Sequence, residues 1–267
     1  MAGRSRLDLA LVERGLAPSR EKARALILAG EVTVDGQRAD KPGLQIAATA
    51  ALEVRATHRY VSRGGEKLQS AWEAFGFEVA GKVCLDVGAS TGGFTDFLLQ
   101  KGALRVYAVD VGYGQLAWSL RNDPRVVVLE RVNARHMEPE LLPVPAALAA
   151  LDVSFISLEK VLPAVLACLA PTAELVALVK PQFEAGPDAV GKKGVVRDAA
   201  VHESVLSRCA AHAAEQGLQV RGATFSALQG PEGNIEFFLY LARPAAVPQP
   251  PPDLAAVVAR AHEFFGR

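Results

Sequence analysis

A glycine-rich stretch after an apolar run carries the strongest chemical signal in the sequence. Asp86 ends the apolar run, and a loop with three glycines follows before a helical segment. Glycine lets the backbone approach a ligand closely, and the N-terminus of a helix offers free N–H groups to it. The loop therefore predicts a ligand site. Its candidate binding residues are Asp86, Gly88, Ser90, Thr91, Gly92, Gly93 and Phe94.

Two common nucleotide-binding loops each differ from this stretch at one decisive position. A phosphate-binding P-loop ends in Gly-Lys-Ser or Gly-Lys-Thr, whereas Gly93 is followed by Phe94. A dinucleotide-binding fingerprint has glycine where Ser90 stands. Both classes are disfavoured. A tight turn without a ligand would explain one acidic residue here, but hardly Asp86 together with Asp110.

Asp86 and Asp110 suit a cofactor that has both a cationic group and a ribose. Asp110 lies 24 residues after Asp86, at the end of the next apolar run, where an acidic side chain accepts hydrogen bonds from two ribose hydroxyls. A carboxylate at Asp86 suits an ammonium group. S-Adenosylmethionine combines these features and is the predicted cofactor. Asn133, after the third run, could reach the adenine edge or serve as a turn residue, and the sequence leaves both open.

The elements that must position these residues alternate between apolar strands and helices. Such alternation predicts an α/β fold with a parallel sheet covered on both faces. The last two strands are joined by a short connection that contains Gly230-Pro231-Glu232-Gly233-Asn234 and leaves no room for a helix, so they should form an antiparallel edge hairpin in a seven-stranded sheet. The predicted strands are residues 83–85, 106–109, 126–129, 146–151, 175–179, 220–226 and 235–241, and the helices are residues 95–100, 115–121, 157–169 and 199–216.

The first sixty residues have a different pattern, which predicts a small α+β module. Ser5 and Ser19 each precede a short amphipathic helix, and Gly15 and Gly30 end these helices. An Asp-Gly turn at Asp35 then predicts a β-hairpin. Residues 1–67 hold 12 basic and 8 acidic side chains, whereas the whole chain has formal net charge zero. A basic module of this kind suits a polyanionic partner.

Composition excludes several classes of protein. Half of the residues are hydrophobic and 22% are charged, which is not typical of disordered or low-complexity chains.

The cysteines Cys84, Cys168 and Cys209 lie in apolar runs and are expected to be reduced core residues. The histidines show no metal-binding spacing, so no metal is expected. No signal peptide or membrane-spanning stretch is present, which predicts a cytoplasmic protein without a membrane partner.

Five motifs together resemble those of the TlyA group, historically named hemolysins, within the FtsJ-like class of RNA ribose 2'-O-methyltransferases. The resemblance covers nearly the whole chain. The motifs are residues 62–68 (Ser-Arg-Gly-Gly-Glu-Lys-Leu), the loop at 86–94, residues 152–158 (Asp-Val-Ser-Phe-Ile-Ser-Leu), residues 179–184 (Val-Lys-Pro-Gln-Phe-Glu) and residues 233–238 (Gly-Asn-Ile-Glu-Phe-Phe).

This resemblance implies a division of the chain into three segments. Residues 1–60 are expected to form an S-four-like RNA-binding domain. Residues 61–243 are expected to form a Rossmann-like methyltransferase domain that uses S-adenosylmethionine. Residues 244–267 should be a Pro-rich linker and a C-terminal helix capped by Asp253.

The resemblance also implies a catalytic tetrad. The FtsJ-like class uses a Lys-Asp-Lys-Glu set, which by motif falls on Lys67, Asp152, Lys180 and Glu236. A ribose 2'-hydroxyl is a very weak acid, so the enzyme must orient it and remove its proton. Lys180 is the expected base, with Lys67 as a nearby cation that lowers its pKa. Asp152 and Glu236 are expected to hold the two ammonium groups and the attacking oxygen in line. Phe155 could stack on a splayed base or pack in the core.

The implied substrate is the cytidine ribose of ribosomal RNA, so ribosomal subunits are the expected partners. Arg4, Arg6 and Arg20 are candidates for contacts with RNA phosphates. The sequence leaves open that the small N-terminal domain selects a different substrate, such as transfer RNA. Two rival functions are weaker. A non-catalytic RNA-binding factor should have lost tetrad members or Asp86, and none is lost. A membrane-acting hemolysin needs a secretion signal or a membrane-binding element, and only the last helix could supply one.

Overall fold

The structure is a computed structural model that describes residues 4–17, 19–54, 59–243 and 250–267. These residues form two compact units, one that ends at Arg59 and one that begins at Tyr60. The first unit has one hydrophobic core of its own, and the second has two. In the described ranges no helix is both long and apolar enough to cross a lipid bilayer.

The first unit combines two short helices with short antiparallel strands. The Ser19 hydroxyl caps the second helix by accepting a hydrogen bond from the Lys22 amide at 3.2 Å, as predicted. The predicted hairpin is confirmed, because Asp35 and Gly36 both have positive φ and join antiparallel strands. The helix predicted after Ser5 is confirmed, but Ser5 does not cap it, since Ser5 lies in a strand and Arg6 is the N-cap residue. The elements are β1 (Arg4–Arg6), α1 (Leu7–Glu13), α2 (Arg20–Leu28), β2 (Val32–Val34), β3 (Gln37–Ala39), β4 (Gln45–Ala47) and β5 (Leu52–Val54).

The second unit is built on the predicted seven-stranded sheet, in the order β11-β12-β10-β9-β6-β7-β8. The strands from β6 to β10 pair in parallel, and β12 is antiparallel to both β10 and β11, which confirms the edge hairpin. The strands are β6 (Val83–Val87), β7 (Arg105–Asp110), β8 (Val126–Glu130), β9 (Ala146–Leu151), β10 (Leu169–Val179), β11 (Gln219–Phe225) and β12 (Phe237–Ala242). The helices are α3 (Arg63–Phe75), α4 (Gly93–Gln100), α5 (Trp118–Arg121), α6 (Leu158–Ala167), α7 (Pro181–Glu184), α8 (Ala199–Glu215) and α9 (Leu254–Phe264).

Three elements differ from the sequence-based expectation. The sequence pattern did not predict α3, the helix that carries Lys67. The helix expected at residues 115–121 is reduced to the single turn α5, and β10 begins six residues earlier than expected. The Asp253 cap of α9 is confirmed, because its carboxylate accepts a hydrogen bond from the Ala256 amide at 2.9 Å. The expected linker includes residues 244–249, which lie outside the described residues.

The two cores of the second unit lie against opposite faces of the sheet, and strand alternation decides which side chain enters which core. In β6, Leu85 and Val87 enter the core that includes α6, α8 and α9. Cys84 enters the other core, to which α3 and α4 contribute. Because successive side chains of a strand point to opposite faces, Asp86 shares the side of Cys84. The alternation therefore directs an acidic side chain into the layer beneath the glycine-rich loop.

Candidate active site

A cleft of about 470 Å³ opens at the carboxyl ends of four neighbouring strands. In open α/β sheets, this edge is where ligands bind. The loop after β6 contributes two residues. The end of β7 and the segment after it contribute Asp110 and its neighbours, and the segments after β8 and β9 contribute the rest. Lining residues include Gly88, Ser90, Asp110, Val111, Gln115, Asn133, Asp152, Ser154 and Phe155. The cleft thus gathers residues from two of the five motifs found in the sequence, the loop at 86–94 and residues 152–158.

Gly88 and Asp110 fix the shape of the cleft floor. Gly88 has φ of +87°, and a Cβ at this position would overlap the carbonyl oxygen of Asp152. Only glycine therefore fits. The Asp110 carboxylate accepts hydrogen bonds from the backbone N–H of Ser90 at 2.8 Å and of Gly112 at 2.6 Å. Each carboxylate oxygen has a second lone pair, so Asp110 can still accept hydrogen bonds from a ligand.

The second half of the glycine-rich loop does not line the cleft. Gly93 begins α4, and a Cβ there would lie 2.7 Å from the backbone nitrogen of Gly65 in α3. The missing side chain therefore lets the two helices pack closely, which is a different reason for glycine than the ligand approach expected from the sequence. Phe94 is buried, with its ring 6.3 Å from that of Phe238. Of the seven candidate residues in this loop, the cleft contains Gly88 and Ser90, but not Asp86, Thr91, Gly92, Gly93 or Phe94.

Asp86 lies beneath the loop and is completely buried. One oxygen of its carboxyl accepts a hydrogen bond from the Thr95 hydroxyl at 2.6 Å, and the other has no hydrogen-bond partner among the described residues. Burial raises the pKa of Asp86 to about 7, and the negative charges of Asp152 and Asp110 add to this effect. An isolated buried carboxyl with an unpaired oxygen is unusual, and a cationic ligand nearby would favour its ionised form.

Asn133 lies in the cleft wall and also serves as a turn residue. Its side-chain oxygen accepts a hydrogen bond from the Arg135 amide at 3.0 Å and caps the short turn that follows β8. Both readings left open by the sequence are thus compatible with its position, because the amide nitrogen of the side chain is not used in this cap.

The four residues of the implied tetrad come from four different elements. Asp152 directly follows β9, Lys180 directly follows β10, and Glu236 directly precedes β12. Because β9 and β12 are the two neighbours of β10, these three positions lie at one edge of the sheet. Lys67 reaches this edge from the first turns of α3.

These residues form two ion pairs. The Lys67 ammonium lies 2.6 Å from a carboxylate oxygen of Glu236, and the Glu236 side chain is completely buried. The Lys180 ammonium is ion-paired with Asp152 and donates a hydrogen bond to the Ser154 hydroxyl at 2.8 Å. Each lysine is therefore in contact with one carboxylate of the implied tetrad.

Three supporting residues were not found from the sequence. Gly230 packs against Glu236, and a Cβ there would overlap the Glu236 carboxylate. Asn234 is buried and joins two loops, since its side chain accepts a hydrogen bond from the Val196 amide at 3.0 Å and donates one to the Gly194 carbonyl at 2.9 Å. Ser154 holds Lys180. Asn234 and Ser154 lie within the quoted motifs. The motifs therefore marked both positions as part of the site but did not show which groups their side chains bind.

Phe155 is an aromatic side chain at the rim of the cleft. It is 90% exposed, and its backbone has a φ of +63°, which is uncommon for a bulky residue. Its ring centroid lies 4.9 Å from that of Phe183 in α7. Core packing, the alternative left open by the sequence, is therefore wrong for Phe155.

The candidate RNA-binding arginines lie in the first unit. Arg4 and Arg6 belong to β1, and Arg20 begins α2. Arg6 and Arg20 both form ion pairs with Asp8, at 2.9 and 3.0 Å, and Asp8 was not singled out in the sequence. Arg4 is exposed.

The fold and the cleft define the second unit as a Rossmann-like methyltransferase. A family model described as FtsJ-like methyltransferase matches residues 60–243, and an S4 domain model matches residues 5–50. The chain belongs to the FtsJ-like methyltransferase family.

Relatives with known names agree with this assignment. The chain is 53% identical to the 16S/23S rRNA (cytidine-2'-O)-methyltransferase TlyA of Mycobacterium tuberculosis, over 90% of this chain and 91% of the relative. It is 42% identical to Hemolysin A of Brachyspira hyodysenteriae, over 88% of this chain and 98% of the relative. A solved structure of a hemolysin-named protein from Streptococcus thermophilus matches with a TM-score of 0.77 and 44% identity, covering 100% of this chain and 98% of the other.

Proposed function

We propose that this protein transfers a methyl group from S-adenosylmethionine to the ribose 2'-hydroxyl of cytidine in ribosomal RNA, with the large subunit as the first expected target. The observation that carries the proposal is the pair of Lys–carboxylate contacts at the sheet edge beside the cleft. This arrangement supplies a proton acceptor and anchoring charges next to a cofactor-sized cavity. The relative from M. tuberculosis is named for the same reaction.

The cleft fits S-adenosylmethionine. The two lone-pair-bearing oxygens of Asp110 suit the ribose hydroxyls, and Asn133 is placed to contact the adenine edge. Asp86 has a buried oxygen without a described partner, which suits the positive charge of the ligand's amino group. When bound, this cofactor supplies a methyl group activated by a sulfonium. The carboxylates of Asp86 and Asp110 and the free amide donor of Asn133 support this choice of cofactor, which a likeness in fold alone would not.

The residues of this chain orient the acceptor hydroxyl and remove its proton. Lys180 accepts the proton of the 2'-hydroxyl once its own ammonium proton has passed to the paired Asp152 carboxylate. Asp152 and Ser154 hold the Lys180 nitrogen at the cleft side of the sheet edge. Lys67 and Glu236 form the second ion pair. This pair holds one positive and one negative charge at fixed positions on the β12 side of β10, opposite the β9 side where Asp152 lies. Catalysis then depends mainly on positioning, because the methyl donor is already reactive.

RNA recognition involves both units in this proposal. Arg4, Arg6 and Arg20 of the first unit contact phosphates, a sequence-independent source of affinity. Phe155 stacks on the base of the target nucleotide, since an exposed aromatic ring beside the catalytic residues is a common way to hold an unstacked base. Ribosomal subunits are the partners, which places the protein in the cytoplasm.

Mapping of ribose methylation tests the proposal directly. Ribosomal RNA is isolated from cells that lack the protein and from the same cells after its expression, and modified cytidines are located by mass spectrometry. We expect a 2'-O-methylcytidine that occurs only with the protein. Identical maps, in combination with retained RNA binding by the purified protein, would instead support a non-catalytic ribosome-binding factor.

Replacement of Phe155 tests how the target base is held. We expect Phe155→Ala to lower kcat/KM for RNA by about 10- to 100-fold, because one base stack on an aromatic ring is lost. Cofactor affinity should be unchanged, and Phe155→Tyr should keep most of the activity. Leu104→Ala is a matched control, since Leu104 is also an exposed apolar residue, 63% exposed, outside the cleft. Methylation at the parental rate by Phe155→Ala would exclude this role.

A further inference from the structure

A buried carboxylate joins two arginines in the first unit. The Asp8 side chain is completely buried, whereas the side chains of Arg6 and Arg20 are 41% and 53% exposed. Arg6 donates two hydrogen bonds to Asp8, from Nε at 2.9 Å and from Nη2 at 3.0 Å. Arg20 donates a third, from Nε to Oδ2 at 3.0 Å. One carboxylate therefore links the end of β1 to the start of α2.

The cluster keeps excess positive charge and unused donors. Two guanidinium groups face one carboxylate, which leaves a local net charge of about +1. A guanidinium has five N–H donors, and Asp8 takes two from Arg6 and one from Arg20. In the described part of the chain, neither guanidinium has another hydrogen-bond or ion-pair partner. Their remaining donors are thus available to an external anion.

Asp8 remains ionised under all ordinary conditions. The hydrogen bonds from Arg6 hold the pKa of the Asp8 carboxyl well below its usual range, and the charge of Arg20 adds to the effect. A permanently charged, buried anchor restricts the rotamers of both arginines before any ligand binds. Since ordering long side chains opposes binding, prior ordering should raise affinity for a phosphate.

We propose that Asp8 is a positioning residue for RNA binding, which holds Arg6 and Arg20 side by side so that their free N–H donors form one phosphate-binding site. The inference rests on the proposed RNA-modifying function. It also reverses a simple electrostatic expectation. Removal of an acidic side chain from a surface that binds a polyanion should normally strengthen binding, whereas removal of Asp8 should weaken it.

The test compares two substitutions that each remove one negative charge from α1. Asp8→Asn keeps the shape of the side chain but loses the charged anchor, and Glu13→Gln changes an exposed residue of the same helix. Affinity for in vitro transcribed large-subunit ribosomal RNA is measured by fluorescence anisotropy with the full-length chain. We expect about tenfold weaker binding for Asp8→Asn, equivalent to one charge-assisted hydrogen bond. Glu13→Gln should bind as the parent does or slightly more tightly.

Two further variants keep the test decisive if Asp8→Asn fails to fold. Arg6→Lys and Arg20→Lys retain the charge but lose the planar fork that Asp8 orients. Each should weaken RNA binding by several-fold, with folding verified by circular dichroism. The proposal is overturned if folded Asp8→Asn binds RNA at least as tightly as the parent, or if both lysine variants bind like the parent. A parent protein that binds no ribosomal RNA would instead count against the proposed function.

Discussion

Lys180→Ala is expected to lose methyl transfer by roughly 1,000- to 10,000-fold while keeping affinity for cofactor and RNA. The substitution removes the proposed base and, with it, the hydrogen bond to Ser154 that defines the position of this group. A positioned base alone contributes up to about 10,000-fold, and loss of orientation should place the defect in the upper part of that range. Single-turnover methylation of ribosomal RNA measures the rate of methyl transfer. Separate binding measurements give the affinities for cofactor and for RNA.

The structure supplies a control and a competing assignment for this result. Lys160→Ala removes an exposed lysine of α6 and should leave turnover unchanged. If Lys180→Ala turns over within about tenfold of the parent, Lys180 is not the base and Lys67 takes its place. Lys67 itself cannot be tested by alanine alone, because this would leave Glu236 buried without its partner, at a cost of about 3–5 kcal/mol. Lys67→Met together with Glu236→Gln avoids that unpaired charge.

The parallel sheet could be predicted from the sequence because its strands are short apolar runs separated by helical segments. Helix α3 could not be predicted in this way. Gly64 and Gly65 lie in its first turn, and glycine is among the poorest helix formers. Packing explains the exception, since a Cβ on Gly65 would overlap the ring of Tyr60. Tertiary packing therefore outweighs local propensity at the helix that carries Lys67.

The types of residue in the candidate site were predictable, but their partners were not. Lys67 and Glu236 are 169 residues apart in the chain, so no local pattern predicts that they pair. A family motif fixes which residues approach the sheet edge, while the register of β10 and β12 and the position of α3 decide which charges meet. Asp8 shows the same limit, because a single acidic residue between basic ones gives no sign that it is buried.

Asp86→Asn is expected to weaken S-adenosylmethionine binding by about 10- to 100-fold at neutral to basic pH, the range typical for a hydrogen bond to a charged group. The substitution keeps the shape of the side chain and an acceptor for the Thr95 hydroxyl, but removes the negative charge. Asparagine is a better test than alanine, because Asp86 is completely buried and alanine would leave both a cavity and an unpaired Thr95. Isothermal titration calorimetry measures the difference.

The difference between parent and variant should depend on pH. Because the pKa of Asp86 is raised to about 7, the carboxyl is largely neutral in slightly acidic solution and ionised above neutrality. The dissociation constant of Asp86→Asn divided by that of the parent should therefore increase as the pH rises from about 5.5 to about 8. At the acidic end this ratio should approach one. Titration of the ligand's own amino group affects both proteins equally and cancels in this ratio. A ratio that stays constant over this range would contradict direct charge pairing by Asp86.

Stability without cofactor provides an independent check on the same group. The pKa of Asp86 is higher in the folded protein, about 7, than the reference value of 3.8 expected in the unfolded chain, so between these values the folded state holds more of the proton. The contribution of Asp86 to folding is therefore fully present below pH 3.8 and decreases as the pH rises towards 7. Relative to Asp86→Asn, the parent should lose up to about 4 kcal/mol of unfolding free energy across this window. Denaturant unfolding at several pH values measures this difference, and parallel pH profiles for the two proteins would show that Asp86 is ionised throughout.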